Sequence, residues 1–307
     1  MQNLFLAQTQ TGKNAWWRYV VAIPLIIIIW QIGGFIAGAT TAILSGGRPP
    51  ESASLGMFVL MLSGFAFLLL GTWVVNRWMH GRSVKSLTTP FARLSWKRIL
   101  VPAGLWLIAM GIVAIVEAAL HPGRYVANPN PASVLPYLLI GLLLISLQTS
   151  AEEYFFRAYL LQATGRLFSQ PIVLSVLNGL IFAIPHLANP EVTKVGLPLA
   201  VVLYGLMGFI FAYATLRTQT LEMALGIHAA NNLFTGIVAN YETTALPTES
   251  FFFIQTIDPI YGLVSLAVVV VVFVGLLSTR WFKKLMDLED ERPVEQPLTS
   301  SVTAKAS

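Results

Sequence analysis

The sequence predicts an all-α fold: a polytopic membrane protein of about eight transmembrane helices, with its active site buried in the helix bundle. Three observations carry that prediction. Charged residues make up 11% of the 307-residue chain and hydrophobic residues 56%, against roughly 25% charged in a soluble globular protein. Eight apolar stretches each come near the ~20 residues needed to cross hydrocarbon. The basic residues gather in alternate loops. So few charges cannot cover a water-facing surface of this size, which excludes an ordinary soluble enzyme, a disordered protein and a nucleic-acid binder. The absence of cysteine excludes thiol catalysis, disulfides and Cys-ligated zinc.

The apolar stretches run over 16–44, 54–76, 99–120, 134–164, 172–188, 196–216, 221–240 and 259–282. The fourth is overlong and the fifth short. Lys13 and Arg18 before the first stretch, and Ala37-Gly38-Ala39 within it, mimic a secretory signal. Its apolar part exceeds a signal core, however, and seven more stretches follow, so it reads as an uncleaved span. Residues 1–14 read as a short polar N-terminal cytoplasmic tail and 15–284 as the transmembrane domain. Residues 285–307, which include Asp287-Leu-Glu-Asp-Glu and end in Ser, Thr and Ala, read as a disordered cytoplasmic tail. Gly34 and Gly38 form a small-xxx-small pair that suits close helix packing.

Orientation follows from the distribution of basic residues. With both termini cytoplasmic, 16 Lys and Arg fall inside and only Arg48, Arg124 and Lys194 outside, while the outer loop 241–258 carries Glu242, Glu249 and Asp258. The expectation is an integral protein of the plasma (inner) membrane.

A charged side chain near mid-membrane costs about 2.5–3.5 kcal/mol on insertion scales, so ionisable residues inside spans ask for a reason. The fourth stretch holds Glu152, Glu153 and Arg157 after some fifteen mostly apolar residues. Glu153 and Arg157 are four apart, in the favourable Glu-before-basic order, and are expected to neutralise each other. Glu152, about 100° round the helix, is left to face something else. His186 lies near the end of the fifth stretch. In an antiparallel hairpin centred on residue 169, positions 152 and 186 fall at the same depth, each about 25 Å from the turn at 1.5 Å per residue. His228 and Asn232, four apart, share one face of the seventh. His80 and His121 read as solvated, Glu117 as reaching the interface, and Glu222 as a carboxylate suited to a helix N-terminus.

A carboxylate, two imidazoles and an amide can activate water and hold an oxyanion. Glu152, His186 and His228 can equally form a two-histidine, one-carboxylate set for a divalent metal such as zinc. No His-Glu-x-x-His helix and no Gly-x-Ser-x-Gly elbow is present, and the only aspartates, Asp258, Asp287 and Asp290, sit at or beyond span ends. That leaves no zincin, serine-hydrolase or di-aspartyl design.

Glu152-Glu153-x-x-x-Arg157, Phe182-x-x-x-His186 and His228-x-x-x-Asn232 together resemble the three ordered motifs of the CPBP (Abi) family, the type II CAAX prenyl endopeptidases and bacteriocin-processing or immunity membrane proteins. The resemblance covers about 134–240. It implies an eight-helix membrane protease, metallo- or glutamic-type, with its cavity open to the cytoplasm. Glu152 and His186 would activate water, His228 and Asn232 would stabilise the oxyanion, and Glu153 and Arg157 would shape the site. The implied partners are membrane lipid and a membrane-associated protein or peptide substrate. The alternative is a non-proteolytic transporter or immunity scaffold. Against it, no related halves are visible and none of the four polar residues is missing.

Overall fold

The computed structural model describes residues 3–44, 46 and 54–288. Arg48, Arg292, Lys305 and the expected tail beyond residue 288 therefore lie outside the described residues. The chain is a polytopic all-α membrane protein. Six helical stretches are long and apolar enough to cross a bilayer: Trp16–Leu44, Leu55–His80, Trp96–Leu120, Pro131–Thr164, Leu197–Thr218 and Pro259–Ser278. The fifth and seventh predicted stretches are shorter helices, Pro171–His186 and Glu222–Leu233.

In chain order the helices are α1 (Leu4–Ala7), α2 (Trp16–Leu44), α3 (Leu55–Ser63), α4 (Phe65–His80), α5 (Lys85–Thr88), α6 (Trp96–Leu120), α7 (Val134–Glu152), α8 (Leu161–Thr164), α9 (Pro171–His186), α10 (Val192–Val195), α11 (Leu197–Thr218), α12 (Glu222–Leu233), α13 (Pro259–Ser278) and α14 (Arg280–Leu285). A π-helical segment, Glu153–Leu160, joins α7 to α8, and a second, Phe234–Val238, extends α12. Local chemistry sets several of the starts. Gln170 caps the Val173 N–H at 2.6 Å ahead of Pro171, and Asp258 caps the Tyr261 N–H at 3.0 Å ahead of Pro259.

The bundle pairs α9 with α11, α6 with α12, and α2 with α4, with α7 against α4 and α12. α9 crosses α11 closely. A Cβ added at Gly179 would sit 2.4 Å from the Gly205 carbonyl oxygen, and one at Gly208 would sit 2.7 Å from the Gly179 Cα. Only glycine permits that approach. The Gly34–Gly38 pair expected to pack helices is not required to be glycine, because a Cβ at either position meets nothing within 4 Å, although Gly64 approaches the Gly34 backbone. Outward-facing side chains such as Phe35, Ile115, Leu143, Ile184 and Val271 are largely exposed and apolar, as lipid contact requires.

The two ends of the bundle differ. At one end, residues 3–14 fold onto the helix termini instead of trailing off. Phe5 is fully buried, Asn3 Nδ2 donates to the Leu216 carbonyl at 2.8 Å, and the Leu4 N–H donates to Gln219 Oε1 at 2.9 Å. His80, expected in solvent, is fully buried there between the Lys13 carbonyl (2.8 Å) and the Tyr159 hydroxyl (2.7 Å). Glu222 does more than face a helix N-terminus: it accepts the Ser95 N–H at 2.7 Å and pairs with buried Arg98 at 3.4 Å. At the opposite end, a small sheet of order β1-β3-β2 ties the loops together. It is built from β1 (Tyr125–Ala127), β2 (Ala239–Asn240) and β3 (Phe252–Ile254). Glu117 is also at this end, held by Arg124 at 2.7 Å and the Tyr125 hydroxyl at 2.6 Å.

Candidate active site

Glu152, His186, His228 and Asn232 line one cavity of about 310 Å³, together with Gln148 and Tyr204. The first three come from α7, α9 and α12, and Asn232 lies one turn beyond His228. Glu152 ends the α-helical part of its span. From Glu153 the backbone turns π-helical, a form that recurs where function distorts a helix.

Glu153 and Arg157 form the expected pair, 3.1 Å apart and both fully buried. The contact is an off-line ion pair, since no guanidinium nitrogen of Arg157 has a hydrogen-bond partner. The guanidinium is held instead by rings, 3.9 Å from the Phe182 centroid and 4.9 Å from that of Phe211. A desolvated cation over aromatic faces gains about 2 kcal/mol. This offsets part of its desolvation.

The structure gives Glu153 a further contact that sequence spacing does not suggest. Its Oε1 accepts from His228 Nδ1 at 2.6 Å, and His228 Nε2 faces Glu152 Oε2 at 3.5 Å. His228 thus lies between the two glutamates, with its ring stacked on Phe211 at 4.6 Å. Both ring nitrogens are turned toward carboxylates, which departs from the oxyanion role the resemblance implied. His186 Nδ1 donates to the Phe182 carbonyl at 2.7 Å, leaving Nε2 as the acceptor, and its ring lies 4.8 Å from that of Tyr204. Asn232 Nδ2 donates to Gln148 Oε1 at 3.1 Å, while its own oxygen accepts from Asn231 at 3.1 Å. Trp106 Nε1 in turn donates to Asn231 at 3.3 Å.

Sequence reasoning missed Gln148, Asn231, Tyr204 and Glu191. Gln148 carried a signal, since it is an amide in a membrane span, one turn before Glu152 and on the same face. Glu191 follows α9 and is buried. Its Oε1 accepts the Tyr204 hydroxyl at 2.5 Å, and its Oε2 has no partner. Nothing in its sequence context marked it out. Burial pushes the loop hydroxyl of Tyr241 above the usual phenol value, and Glu191 acts in the same sense, so the cavity wall presents a neutral donor. A second cavity of about 320 Å³ shares Glu191, Tyr204 and Tyr241 and extends between α6, α11 and α13 along apolar side chains.

The residues do not fit the zinc set considered from the sequence. Among the described residues no three His, Asp or Glu side chains converge as a metal-binding group. His228 Nδ1 is taken by Glu153, while Nε2 faces Glu152 Oε2 without a hydrogen bond.

A profile of the type II CAAX prenyl endopeptidase Rce1-like family matches residues 135–234, the stretch from α7 to the start of the second π-segment. The chain is also similar to the uncharacterized protein YyaK of Bacillus subtilis (strain 168), 34% identical over 236 residues, covering 73% of this chain and 78% of that protein. The chain belongs to the Rce1-like family, and at that level it is an integral membrane protein of a CAAX-type intramembrane protease group.

Proposed function

We propose that this protein is an intramembrane endopeptidase that hydrolyses a peptide bond of a membrane-associated protein or peptide, with Glu152 as general base. The observation that carries the reading is the convergence of Glu152, His186, His228 and Asn232 on one cavity within the helix bundle. Glu152 takes a proton from water. His186, whose Nδ1–H is committed to a carbonyl, presents Nε2 to the second hydrogen of that water and orients it.

A carboxylate oxygen and an imidazole nitrogen facing each other at 3.5 Å form a natural resting place for one proton. The proton taken from water is held between Glu152 and His228, then passed to the leaving amine. Glu153 fixes the His228 tautomer through Nδ1, the job a carboxylate does beside a catalytic imidazole. Asn232, its amide oriented by Gln148 and Asn231, donates to the oxyanion. The apolar cavity beside the polar one suits a substrate with an apolar anchor, whether a lipidated CAAX-like tail or a peptide such as a bacteriocin precursor.

The test is substrate trapping. Glu152→Ala protein purified from cells should retain bound peptide identifiable by mass spectrometry, and the wild type should cleave that same peptide. Trapped peptide left intact by wild-type protein would overturn proteolysis and favour a scaffold.

A further inference from the structure

The N-terminal segment roofs a recess that is separate from the candidate active site. Its walls include Leu6, Thr9 and Asn14 on that segment, Arg166 and Ser169 in the turn between α8 and α9, and Arg217 at the end of α11. The recess measures about 660 Å³, and none of its lining residues borders the cavity of Glu152.

Its chemistry suits negative charge. Among the described residues no carboxylate lines it, and neither Arg166 nor Arg217 belongs to an ion pair. Aromatic rings position both exposed cations instead. The Arg166 guanidinium lies 5.6 Å from the Tyr19 ring centroid, and that of Arg217 lies 6.0 Å from that of Tyr213. Contact with a ring face does not consume the N–H donors that pair with phosphate.

A third cation stands behind these two. Arg82 is buried, and its Nη1 donates to Gln162 Oε1 at 2.7 Å, while Nε and Nη2 have no partner. Among the described residues no carboxylate pairs with it either. Arg82 and Arg166 both act on the Tyr19 hydroxyl, which donates to Asn14 Oδ1 at 2.8 Å in the recess wall. The field of Arg82 therefore adds to that of the two exposed arginines. A buried charge that no opposite charge answers is costly, and an anion in the recess offsets that cost.

Position narrows the choice of anion. Asn14 lies two residues before exposed Trp16 and Trp17, and tryptophan marks the level where hydrocarbon meets water. From Pro171 in the rim, α9 carries Ile172, Val173, Val176 and Leu180 exposed along one face. An acyl chain can lie on that apolar track below its headgroup. We propose that the recess binds a phosphate-bearing anion, with Arg166 and Arg217 as direct ligands and the acidic headgroup of a phospholipid as its occupant. Basic recesses between span ends suit such headgroups. Free phosphate shares the chemistry but makes no use of the apolar track.

The test titrates full-length protein in a neutral detergent with short-chain phosphatidylglycerol, short-chain phosphatidylcholine or inorganic phosphate at constant ionic strength. A ligand that binds only the folded chain raises its unfolding midpoint. Phosphatidylglycerol should raise it saturably, and phosphatidylcholine should not. Arg166→Gln with Arg217→Gln should raise the half-saturating lipid concentration at least about tenfold, as expected when charge-assisted bonds are lost. Arg93→Gln with Lys284→Gln removes two exposed charges outside the recess and should keep the wild-type value. Native mass spectrometry counts bound lipid directly, so a variant with an altered midpoint is still read. Saturation by inorganic phosphate at the same affinity, lost in the Arg166 and Arg217 double variant, would overturn the lipid as occupant and keep the anion site. An equal response to phosphatidylcholine, no response to either anion, or equal losses in the two double variants would overturn the inference.

Discussion

Arg98–Glu222 and Arg157–Glu153 are both fully buried ion pairs in one helix bundle, and they are finished in opposite ways. Around the first, every charge is answered. Arg98 Nε donates to the Met286 carbonyl at 2.9 Å and a terminal nitrogen to the Asp287 carbonyl at 2.7 Å, while Glu222 also accepts the Ser95 N–H. Around the second, Glu152 Oε2, Glu153 Oε2 and all three Arg157 nitrogens lack hydrogen bonds. Leaving a buried polar atom unpaired costs about 1–3 kcal/mol, and native folds keep few such atoms. The satisfied cluster locks loops and helix ends together. The unsatisfied one adjoins the cavity through Glu152, whose carboxylate is the member an incoming water or peptide can meet.

Separate variants sharpen that contrast. Glu152→Gln keeps size and hydrogen bonding but cannot take a proton, so turnover should fall about 10⁴-fold with folded yield unchanged. Glu222→Ala should do the reverse. Stranding Arg98 should cost about 3–5 kcal/mol of stability, read as a lower unfolding midpoint in detergent, with turnover per folded molecule retained. A loss of stability in the first variant, or of intrinsic turnover in the second, would erase the distinction between the clusters. Asn232→Ala removes one oxyanion donor, worth about 2.7–4 kcal/mol, and should slow turnover about 100- to 1,000-fold without abolishing it. The smallest effect is expected from Tyr204→Phe. It removes the hydroxyl bonded to Glu191 while keeping the ring beside His186. The loss of about 1 kcal/mol of positioning corresponds to about fivefold in kcat. KM should be unchanged, and a change in KM alone would mark Tyr204 as a substrate contact.

Much of the architecture was legible because a bilayer imposes a length and a polarity on each span. The same cost exposed Glu152, His186 and His228 as polar residues needing a purpose, and hairpin arithmetic set residues 152 and 186 at one depth. The hidden features depend on contacts that periodicity does not encode. Nothing in Glu153–Leu160 announces a π-helix, so the reach of Glu153 to His228 was not readable. The N-terminal segment looked dispensable because its apolar run, Leu4–Ala7, is only four residues long between polar ones, and the buried seat of Phe5 exists only once Gln162 and Leu216 are assembled. His80 looked solvated because a basic loop follows it, yet that loop folds back over the bundle.

The π-segment after Glu152 has a consequence for how this chain tolerates changes of length. Its hydrogen bonds span five residues where the flanking helix spans four, so the segment accommodates one residue more than an α-helix would over the same rise. Deleting a single residue between 153 and 160 would let the helix relax to regular α geometry without breaking it. The flanking turns would keep their phase, but residues left within the segment would step about 100° round the helix. Glu153 would lose its reach to His228, or Arg157 its aromatic cage. Surface loops of this protein can gain or lose residues, but this stretch works as a phase setting, intolerant of a shift that hydrophobicity alone would pass as silent.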